Sequence, residues 1–156
     1  MKKLEIERKF LLTRLPNVKK WDDMISIIQY YIEDSVRLRQ STSKLTNKSI
    51  YTQTIKEFVS PGINKEKEKR ISEKKFWELL YATSYYTMIY KTRYIYESPD
   101  KRKWEIDVFT NRNLVIAEME LKSMKEKLRI PNCIKEKLLM EVTNYKEFSN
   151  YEISKR

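Results

Sequence analysis

The stretch that decides the fold lies near the start of the chain and reads Leu4-Glu5-Ile6-Glu7-Arg8-Lys9-Phe10. Alternate positions carry charge, at Glu5, Glu7 and Lys9, while most of the residues between them are apolar. A period of two indicates a β-strand, because successive side chains of a strand point to opposite faces of the sheet. The stretch therefore predicts a strand with one face that carries charges of both signs.

The same strand-like alternation recurs in several later segments, at 36–39, 54–56, 90–94, 103–108 and 117–122. The stretches 25–33 and 48–58 are rich in Ile, Tyr and Thr, which strands favour. Most of the chain is therefore predicted to form a sheet.

Helices are predicted to be fewer. Residues 73–82 follow Ser72, a suitable N-cap, and predict a helix. Short helices are expected at 122–128 and 134–140, and a helix or turn at 144–153.

Two architectures accommodate this pattern. In an open α+β sheet, the charged face is in water and the apolar face packs on helices. In a closed barrel, the charged face lines the interior and helices cover the apolar outside, and closure removes the exposed edges. A charged interior is costly unless its charges pair or bind ions, so the barrel requires a wet interior that binds a charged ligand. Periodicity alone does not choose between them.

Charged residues that share the candidate inner face come mostly in pairs two positions apart. The carboxylates are Glu5, Glu7, Glu66, Glu68, Glu105, Asp107, Glu118 and Glu120. The cations are Lys9, Arg37, Arg39, Lys56, Lys91 and Arg93. Acid pairs would collect divalent cations, and basic pairs would clamp phosphoryl oxygens.

Composition narrows the chemistry. The chain has 156 residues, the size of one domain, and we place no boundary within 1–156. It has no histidine, which removes Ser-His and Cys-His nucleophiles and imidazole metal sites. Carboxylate, lysine, arginine and tyrosine chemistry remains, and carboxylates suit hard cations such as Mg²⁺ or Mn²⁺.

The net charge of +11 attracts anions such as nucleic acid, acidic headgroups or small phosphates. Gly62 is the one glycine, so glycine-rich phosphate loops are excluded and side chains would have to bind any phosphate. The single Cys133 and the lack of an apolar run near the N-terminus predict a cytoplasmic protein that neither spans nor binds a membrane.

The ordered motifs resemble those of the CYTH family, also called triphosphate tunnel metalloenzymes. In family order they are Glu5-x-Glu7-x-Lys9, Gln29-x-Tyr31-Ile32, Arg37-x-Arg39, Thr54-Ile55-Lys56, Glu66-x-Glu68, Lys91-Thr92-Arg93-Tyr94, Glu105-x-Asp107-x-Phe109, Ala117-Glu118-x-Glu120-Leu121 and Glu141-Val142-Thr143 through Ser149-Asn150. The family usually has arginine where this chain has Asn64, and Asp and Arg are common where Tyr145 and Glu147 stand.

The resemblance implies an α+β fold: an eight-stranded antiparallel β-barrel, or tunnel, with a charged interior and helices packed outside. It implies that the phosphates bind to Lys9, Arg37, Arg39, Lys56, Lys91 and Arg93. It implies that Mg²⁺ or Mn²⁺, as two ions, binds to Glu5, Glu7, Glu66, Glu68, Asp107, Glu118 and Glu120. The implied catalytic residues are Glu5, Glu7, Glu118, Glu120 and Tyr31, with Tyr31 similar to the tunnel tyrosine at the leaving-group end.

The function implied is metal-dependent hydrolysis of a triphosphate by in-line attack of an activated water. The N-terminal stretch Glu5–Leu12 and the motif Lys91-Thr92-Arg93-Tyr94 look most like the bacterial inorganic triphosphatase branch. Inorganic tripolyphosphate is therefore the expected substrate. A homodimer is expected because tunnel proteins of this kind are often dimers.

Alternatives remain open. A class IV adenylate cyclase shares the tunnel, but that branch typically carries a histidine near its N-terminal motif. Thiamine or nucleoside triphosphatases share the phosphate clamp. A non-catalytic polyphosphate-binding or nucleotide-binding module is motivated by Asn64. A nucleic-acid binder would account for the charge, although no recognised motif supports it.

Overall fold

The computed structural model describes residues 2–33 and 35–156. Within them, the strands are β1 (Lys3–Leu12), β2 (Asp23–Glu33), β3 (Val36–Ser43), β4 (Ser49–Ser60), β5 (Ile63–Ile71), β6 (Thr87–Glu97), β7 (Lys103–Phe109), β8 (Val115–Leu121) and β9 (Leu138–Glu141). The helices are α1 (Glu73–Tyr81), α2 (Asn132–Lys135) and α3 (Asn150–Ser154), with a 3₁₀ turn at Lys146–Phe148. No helix among the described residues is long and apolar enough to cross a membrane.

Eight strands close into an antiparallel barrel. The order β5-β4-β3-β2-β6-β7-β8-β1 is completed by pairing of β5 with β1, in the register Lys3 to Glu66 and Ile6 to Ile63. The predicted eight-stranded barrel is therefore confirmed, and the open-sheet alternative is wrong. β9 was not predicted; it adds to β1 beyond the end of β5.

The seam between β5 and β9 runs alongside the opening motif. The amide of Glu7 donates to the carbonyl of Gly62 at 2.8 Å. The amide of Lys9 donates to Thr143 Oγ1 at 2.9 Å, and the carbonyl of Lys9 accepts from the amide of Val142 at 2.8 Å. A turn residue and a side chain thus bind the segment of β1 that lies between its two strand partners.

Gly62 is required by this seam. Its φ of +80° lies in the left-handed region that L side chains rarely adopt. A Cβ at this position would lie 2.7 Å from the carbonyl oxygen of Glu7. The chain's one glycine therefore stands where its backbone turns tightly and approaches β1.

Helix α1 covers one part of the outer wall. Ser72 caps it, because the Ser72 Oγ accepts from the amide of Lys75 at 3.1 Å. Phe76 and Leu80 are buried against Leu38, which points outward from β3. The predicted helix at 73–82 is confirmed to within one residue.

The segment after β8 covers another part of the wall. It packs on an outer cluster that includes the fully buried Trp104 and Ile134. The helix predicted at 122–128 is wrong: Glu126 accepts from the amide of Lys122 at 2.8 Å and Ser123 from that of Lys125 at 3.1 Å. These local bonds occupy amides in a turn rather than a helix.

The helix predicted at 134–140 is also wrong in its bounds. α2 starts after Pro131 and ends at Lys135, and Leu138–Glu141 is extended as β9. The end of β1 offers an edge that β5 does not cover, and β9 pairs there at Phe10–Leu12.

An apolar cluster fills one end of the barrel interior. Tyr31, Ile89, Phe109 and Ile116 share the strand faces that carry the charged residues, and Ile153 of α3 packs against them. The helix or turn predicted at 144–153 is confirmed as the 3₁₀ turn and α3. The charged part of the interior is therefore bounded at this end by an apolar layer.

Candidate active site

The barrel encloses a cavity of about 1180 Å³. The sequence-predicted site residues that line it are Glu5, Glu7, Lys9, Tyr31, Arg37, Arg39, Lys56, Glu66, Glu68, Arg93, Glu118 and Glu120. Glu105, a member of the candidate inner face, also lines it. Closure of the barrel brings together residues that are up to 115 positions apart in the chain, and they lie on the inner face that strand parity predicted.

The acids of the cavity lie mainly on adjoining strands, β5, β1, β8 and β7, and two lysines sit among them. Lys56 Nζ lies 2.8 Å from Glu5 Oε1 and 3.4 Å from Glu66 Oε2. Lys9 Nζ lies 3.6 Å from Glu7 Oε1 and 3.8 Å from Glu118 Oε1. Burial lowers the pKa of Lys9, but the carboxylates of Glu118 and Glu7 outweigh burial and raise it, so Lys9 is charged.

Arg37 and Arg39 lie on β3 and differ from these lysines. Among residues 2–33 and 35–156, no carboxylate oxygen lies within 4.0 Å of either guanidinium. Arg37 donates to Thr54 Oγ1 at 3.1 Å, and its buried Nε has no hydrogen-bond partner in that part of the chain. Arg39 Nε donates to Gln29 Oε1 at 2.9 Å.

Burial, together with the neighbouring charges of Arg37 and Arg93, lowers the pKa of Arg39 to about 10. The guanidinium is still protonated at neutral pH. This part of the wall therefore carries buried positive charge without a paired acid, which suits a multiply charged anion.

Lys91 and Asp107 are fully buried and do not line the cavity. Lys91 Nζ donates to Asp107 Oδ2 at 2.6 Å and to Asn150 Oδ1 at 2.9 Å. Arg93 Nε donates to Asp107 Oδ1 at 2.7 Å. Burial would raise the pKa of Asp107, but Arg93 and Lys91 hold it well below its usual range.

This network fixes Arg93 at the cavity wall from behind. Arg93 Nη1 also donates to Glu105 Oε2 at 2.7 Å. Both oxygens of Asp107 are occupied by cations, so the predicted contacts of Asp107 with metal and of Lys91 with phosphate stay predictions.

Acids crowd one another where the predicted metal ligands lie. Burial and the charge of Glu118 raise the pKa of Glu7 to about 7 from an ordinary value of 4.5. Burial and the neighbouring carboxyl of Glu66 raise the pKa of Glu5. Glu66 Oε2 is buried and makes no hydrogen bond within the described residues, and its contact with Lys56 Nζ at 3.4 Å is an ion pair alone. Such crowding is relieved by a bound cation, and the oxygen donors fit a hard one.

The present side-chain positions are not those of an assembled metal centre. In residues 2–33 and 35–156, no three Asp, Glu or Cys side chains are arranged to hold one ion. Lysines occupy the places between the acids instead. The donor chemistry fits Mg²⁺ or Mn²⁺, and binding would require Lys56 and Lys9 to give way.

Sequence reasoning missed several supporting side chains. Thr54 holds Arg37, Asn150 holds Lys91, and Thr143 holds the backbone of Lys9. Thr54 and Asn150 are uncharged and belong to motifs that the charge pattern did not weigh. Their strand parity or motif position could have marked them as site residues. Their hydrogen-bond partners could not be predicted, because those partners lie far away in the sequence.

No protein-family model and no curated protein sequence matches the chain. Solved structures do. A crystal structure of the inorganic triphosphatase NE1496 is similar at 27% identity and a TM-score of 0.60, over 96% of this chain and 93% of that one. Another crystal structure of NE1496 gives 28% identity and a TM-score of 0.60, over 96% and 97%. The PH1819 protein of Pyrococcus horikoshii OT3, at 17% identity and a TM-score of 0.54 over 78% and 80%, shows the fold alone.

The chain folds into a closed antiparallel barrel whose interior carries charged residues of both signs. The predicted resemblance to the CYTH family is confirmed by this fold and by the likeness to NE1496 along nearly the whole chain.

Proposed function

We propose that the chain is a metal-dependent triphosphatase of the inorganic triphosphatase branch and that its substrate is inorganic tripolyphosphate. The observation that carries the proposal is the placement of Arg37 and Arg39. They are guanidinium groups without an acid partner in the described residues, and they share one cavity with six of the predicted metal-binding carboxylates. The likeness to the inorganic triphosphatase NE1496 supports the same function.

The cations of the cavity would bind the phosphate chain. Arg37 and Arg39 offer their free N–H groups, and Arg93 is fixed beside them by Asp107. Each charge-assisted hydrogen bond would contribute roughly 1.5–3 kcal/mol. Lys56 and Lys9 would turn from their acid partners toward phosphate oxygens as the acids take up metal.

The carboxylates that line the cavity would hold two Mg²⁺ or Mn²⁺ ions; they are Glu5, Glu7, Glu66, Glu68, Glu118 and Glu120. When bound, such ions neutralise phosphate oxygens and lower the pKa of a water for in-line attack on phosphorus. Asp107 has both oxygens committed to cations and would act by holding Arg93.

Proton handling falls to the carboxylates because the chain has no histidine. Burial and Glu118 raise the pKa of Glu7 to about 7 in the cavity without metal, and a bound cation would lower it again. Tyr31 lines the cavity next to the apolar layer, where its hydroxyl would contact the leaving phosphate.

A phosphate-release panel tests the proposal. Tripolyphosphate, pyrophosphate, ATP and thiamine triphosphate are each supplied with Mg²⁺, Mn²⁺, Ca²⁺ or EDTA. We expect release from tripolyphosphate with Mg²⁺ or Mn²⁺ and none with EDTA. No release from any substrate would refute the hydrolase, and cyclic AMP from ATP would establish a cyclase instead.

A second candidate is a non-catalytic polyphosphate-binding module. Asn64 lines the cavity beside Glu5, at the position where the family usually has arginine. The loss of that cation would remove one phosphate contact. Tight binding of tripolyphosphate by calorimetry, with no phosphate release in Mg²⁺ or Mn²⁺, would favour the module over the enzyme.

A further inference from the structure

Gln29 is a fully buried amide on the inner face of β2. Its Oε1 accepts from Arg39 Nε at 2.9 Å, and its Nε2 donates to the Tyr31 hydroxyl at 3.0 Å. A buried amide usually needs both ends satisfied, and these two bonds satisfy one acceptor and one donor. Gln29 thus joins a residue of the phosphate clamp to the tunnel tyrosine.

The chemistry of the partners fixes the direction of both bonds. An arginine Nε–H can only donate, so the oxygen of the Gln29 amide faces Arg39 and the nitrogen faces Tyr31. The hydroxyl oxygen of Tyr31 therefore accepts, and its own hydrogen is available for another acceptor. On Arg39, Gln29 uses only Nε, and neither Nη group makes a hydrogen bond to residues 2–33 or 35–156.

The neutrality of Gln29 also matters. Arg39 lies near the charges of Arg37 and Arg93, which oppose its protonated form. A carboxylate at position 29 would hold Arg39 equally well but would neutralise it. An amide orients the guanidinium and leaves its charge for the ligand.

We propose that Gln29 is a positioning residue that sets Arg39 and Tyr31 in a fixed relation, so that the Nη groups of Arg39 and the hydroxyl hydrogen of Tyr31 face one phosphate chain. The inference rests on the proposed function, because it assigns the ligand of this cavity as a polyphosphate. It adds a residue whose effect passes through Arg39 and Tyr31 rather than through direct contact with substrate.

Two substitutions separate its contributions. Gln29→Met keeps the length of the side chain and removes both hydrogen bonds, whereas Gln29→Glu keeps the shape and adds a charge. Gln40→Met is the matched control, since Gln40 Nε2 donates to the Tyr51 hydroxyl at 3.3 Å on the outer side of the next strand, away from the cavity lining. Thermal unfolding checks that each variant folds.

The first measurement needs no ligand. In ¹⁵N spectra of the arginine side chains, the Arg39 Nε–H signal should exchange slowly with solvent in the wild type and in Gln40→Met. It should broaden or exchange at least tenfold faster in Gln29→Met. An unchanged signal in Gln29→Met would overturn the positioning role.

The second measurement is titration with tripolyphosphate by calorimetry, in EDTA and again in Mg²⁺, with phosphate release measured in parallel. We expect Gln29→Met and Gln29→Glu each to weaken binding at least tenfold, and Gln40→Met to leave it unchanged. Because Gln29 acts through Arg39, Gln29→Met should cost less than threefold further affinity when combined with Arg39→Ala. Wild-type affinity in Gln29→Glu would overturn the inference. If Gln29→Met does not fold, the binding affinity of Gln29→Glu decides the test.

The two proposals fail differently. If the wild type binds tripolyphosphate without releasing phosphate, the hydrolase is refuted and the role of Gln29 is judged from the binding ratios alone. If the wild type neither binds nor hydrolyses it, both the proposed function and the assignment of Gln29 to a polyphosphate fall. If binding and release are intact and the Gln29 variants match the wild type, only the inference falls.

Discussion

Lys56 Nζ lies 2.8 Å from Glu5 Oε1, an ion pair that joins β4 to β1 within the barrel. Lys56, a predicted phosphate-binding residue, is thus paired with Glu5, a predicted metal ligand. In the protein without ligands, each residue therefore neutralises the charge that the other would offer to substrate or metal.

Removing the acid should disable the site without unfolding the barrel. We expect Glu5→Gln to lower kcat/KM for tripolyphosphate at least tenfold, because one metal-binding charge is lost. Phosphate release at several concentrations of Mn²⁺ measures the effect. Glu136→Gln, on the exposed end of α2, is the control. Equal kinetics of Glu5→Gln and the wild type would contradict the metal-binding role.

Removing an unpaired arginine should act mainly on binding. Arg39→Ala deletes a guanidinium that has no acid partner in the described residues, so the loss falls on the contact with substrate. We expect KM to rise tenfold or more, consistent with roughly 1.5–3 kcal/mol per charged hydrogen bond, with a smaller change in kcat. The exposed Arg129→Ala serves as the comparison. A fall in kcat at constant KM would assign Arg39 to the chemical step.

The pKa of Glu7 predicts a dependence of stability on pH. Its carboxyl has a pKa of about 7 in the folded protein and an ordinary value of 4.5, because burial and Glu118 disfavour the charged form. The folded state binds the proton more tightly, so this contribution to stability is complete below pH 4.5 and is lost as the pH rises through 7.

Glu7→Gln removes that dependence. In EDTA, we expect the variant to melt at a higher temperature than the wild type at pH 8 and to show a smaller difference at pH 5. Differential scanning calorimetry across this range measures both. A difference that grows toward low pH would show that the carboxyl of Glu7 is stabilised as an anion.

Asp107 should be required for stability rather than only for activity. Asp107→Asn would leave Lys91 buried beside a neutral group, and breaking a buried pair costs about 3–5 kcal/mol. Urea unfolding should show a loss of that size. Glu97→Gln breaks the exposed pair with Lys101 and should change stability by about 1 kcal/mol or less. Similar small losses in both variants would contradict a buried ionic network.

Gly62 contacts the backbone of Glu7, so a change at Gly62 is expected to affect the candidate site. Gly62→Ala would place a Cβ 2.7 Å from the carbonyl oxygen of Glu7 in a backbone conformation with φ of +80°. We expect a loss of stability of about 1–3 kcal/mol and lower activity, because β1 would have to move with Glu7. Pro61→Ala, on the preceding residue, keeps the glycine and is the control. Full activity in Gly62→Ala would show that the seam tolerates displacement.

Much of this arrangement follows from strand parity, which is a local property. The positions of Glu5, Glu7 and Lys9 on one face follow from a period of two, and so do those of Arg37 and Arg39. The choice of a barrel over an open sheet depended on the resemblance to a family, because either architecture satisfies the same alternation.

The sequence did not predict how deep each inward-facing side chain lies along the barrel or which residues of other strands it contacts. Lys91 and Arg93 share a face, yet only Arg93 lines the cavity. The register of β6 with β7 sets Arg93 opposite Asp107 and Lys91 opposite Phe109 of the apolar layer, so Lys91 lies at the closed end. The ion pair of Lys56 with Glu5 depends on the closure of the barrel between distant segments. β9 was missed because its four residues carry no long periodic signal.

The charged residues of the proposed site and the residues that hold strand β1 in place come from different parts of the chain. The acids and bases of the proposed site come from positions 5–120, whereas the backbone of Lys9 is held by the hydroxyl of Thr143 and the amide of Val142. A fragment ending at Glu141 would keep every acid and base of the proposed site and lose that clasp on β1. Val142 and Thr143 therefore support the strand that carries Glu7 and Lys9 without contributing a charged group to the proposed site.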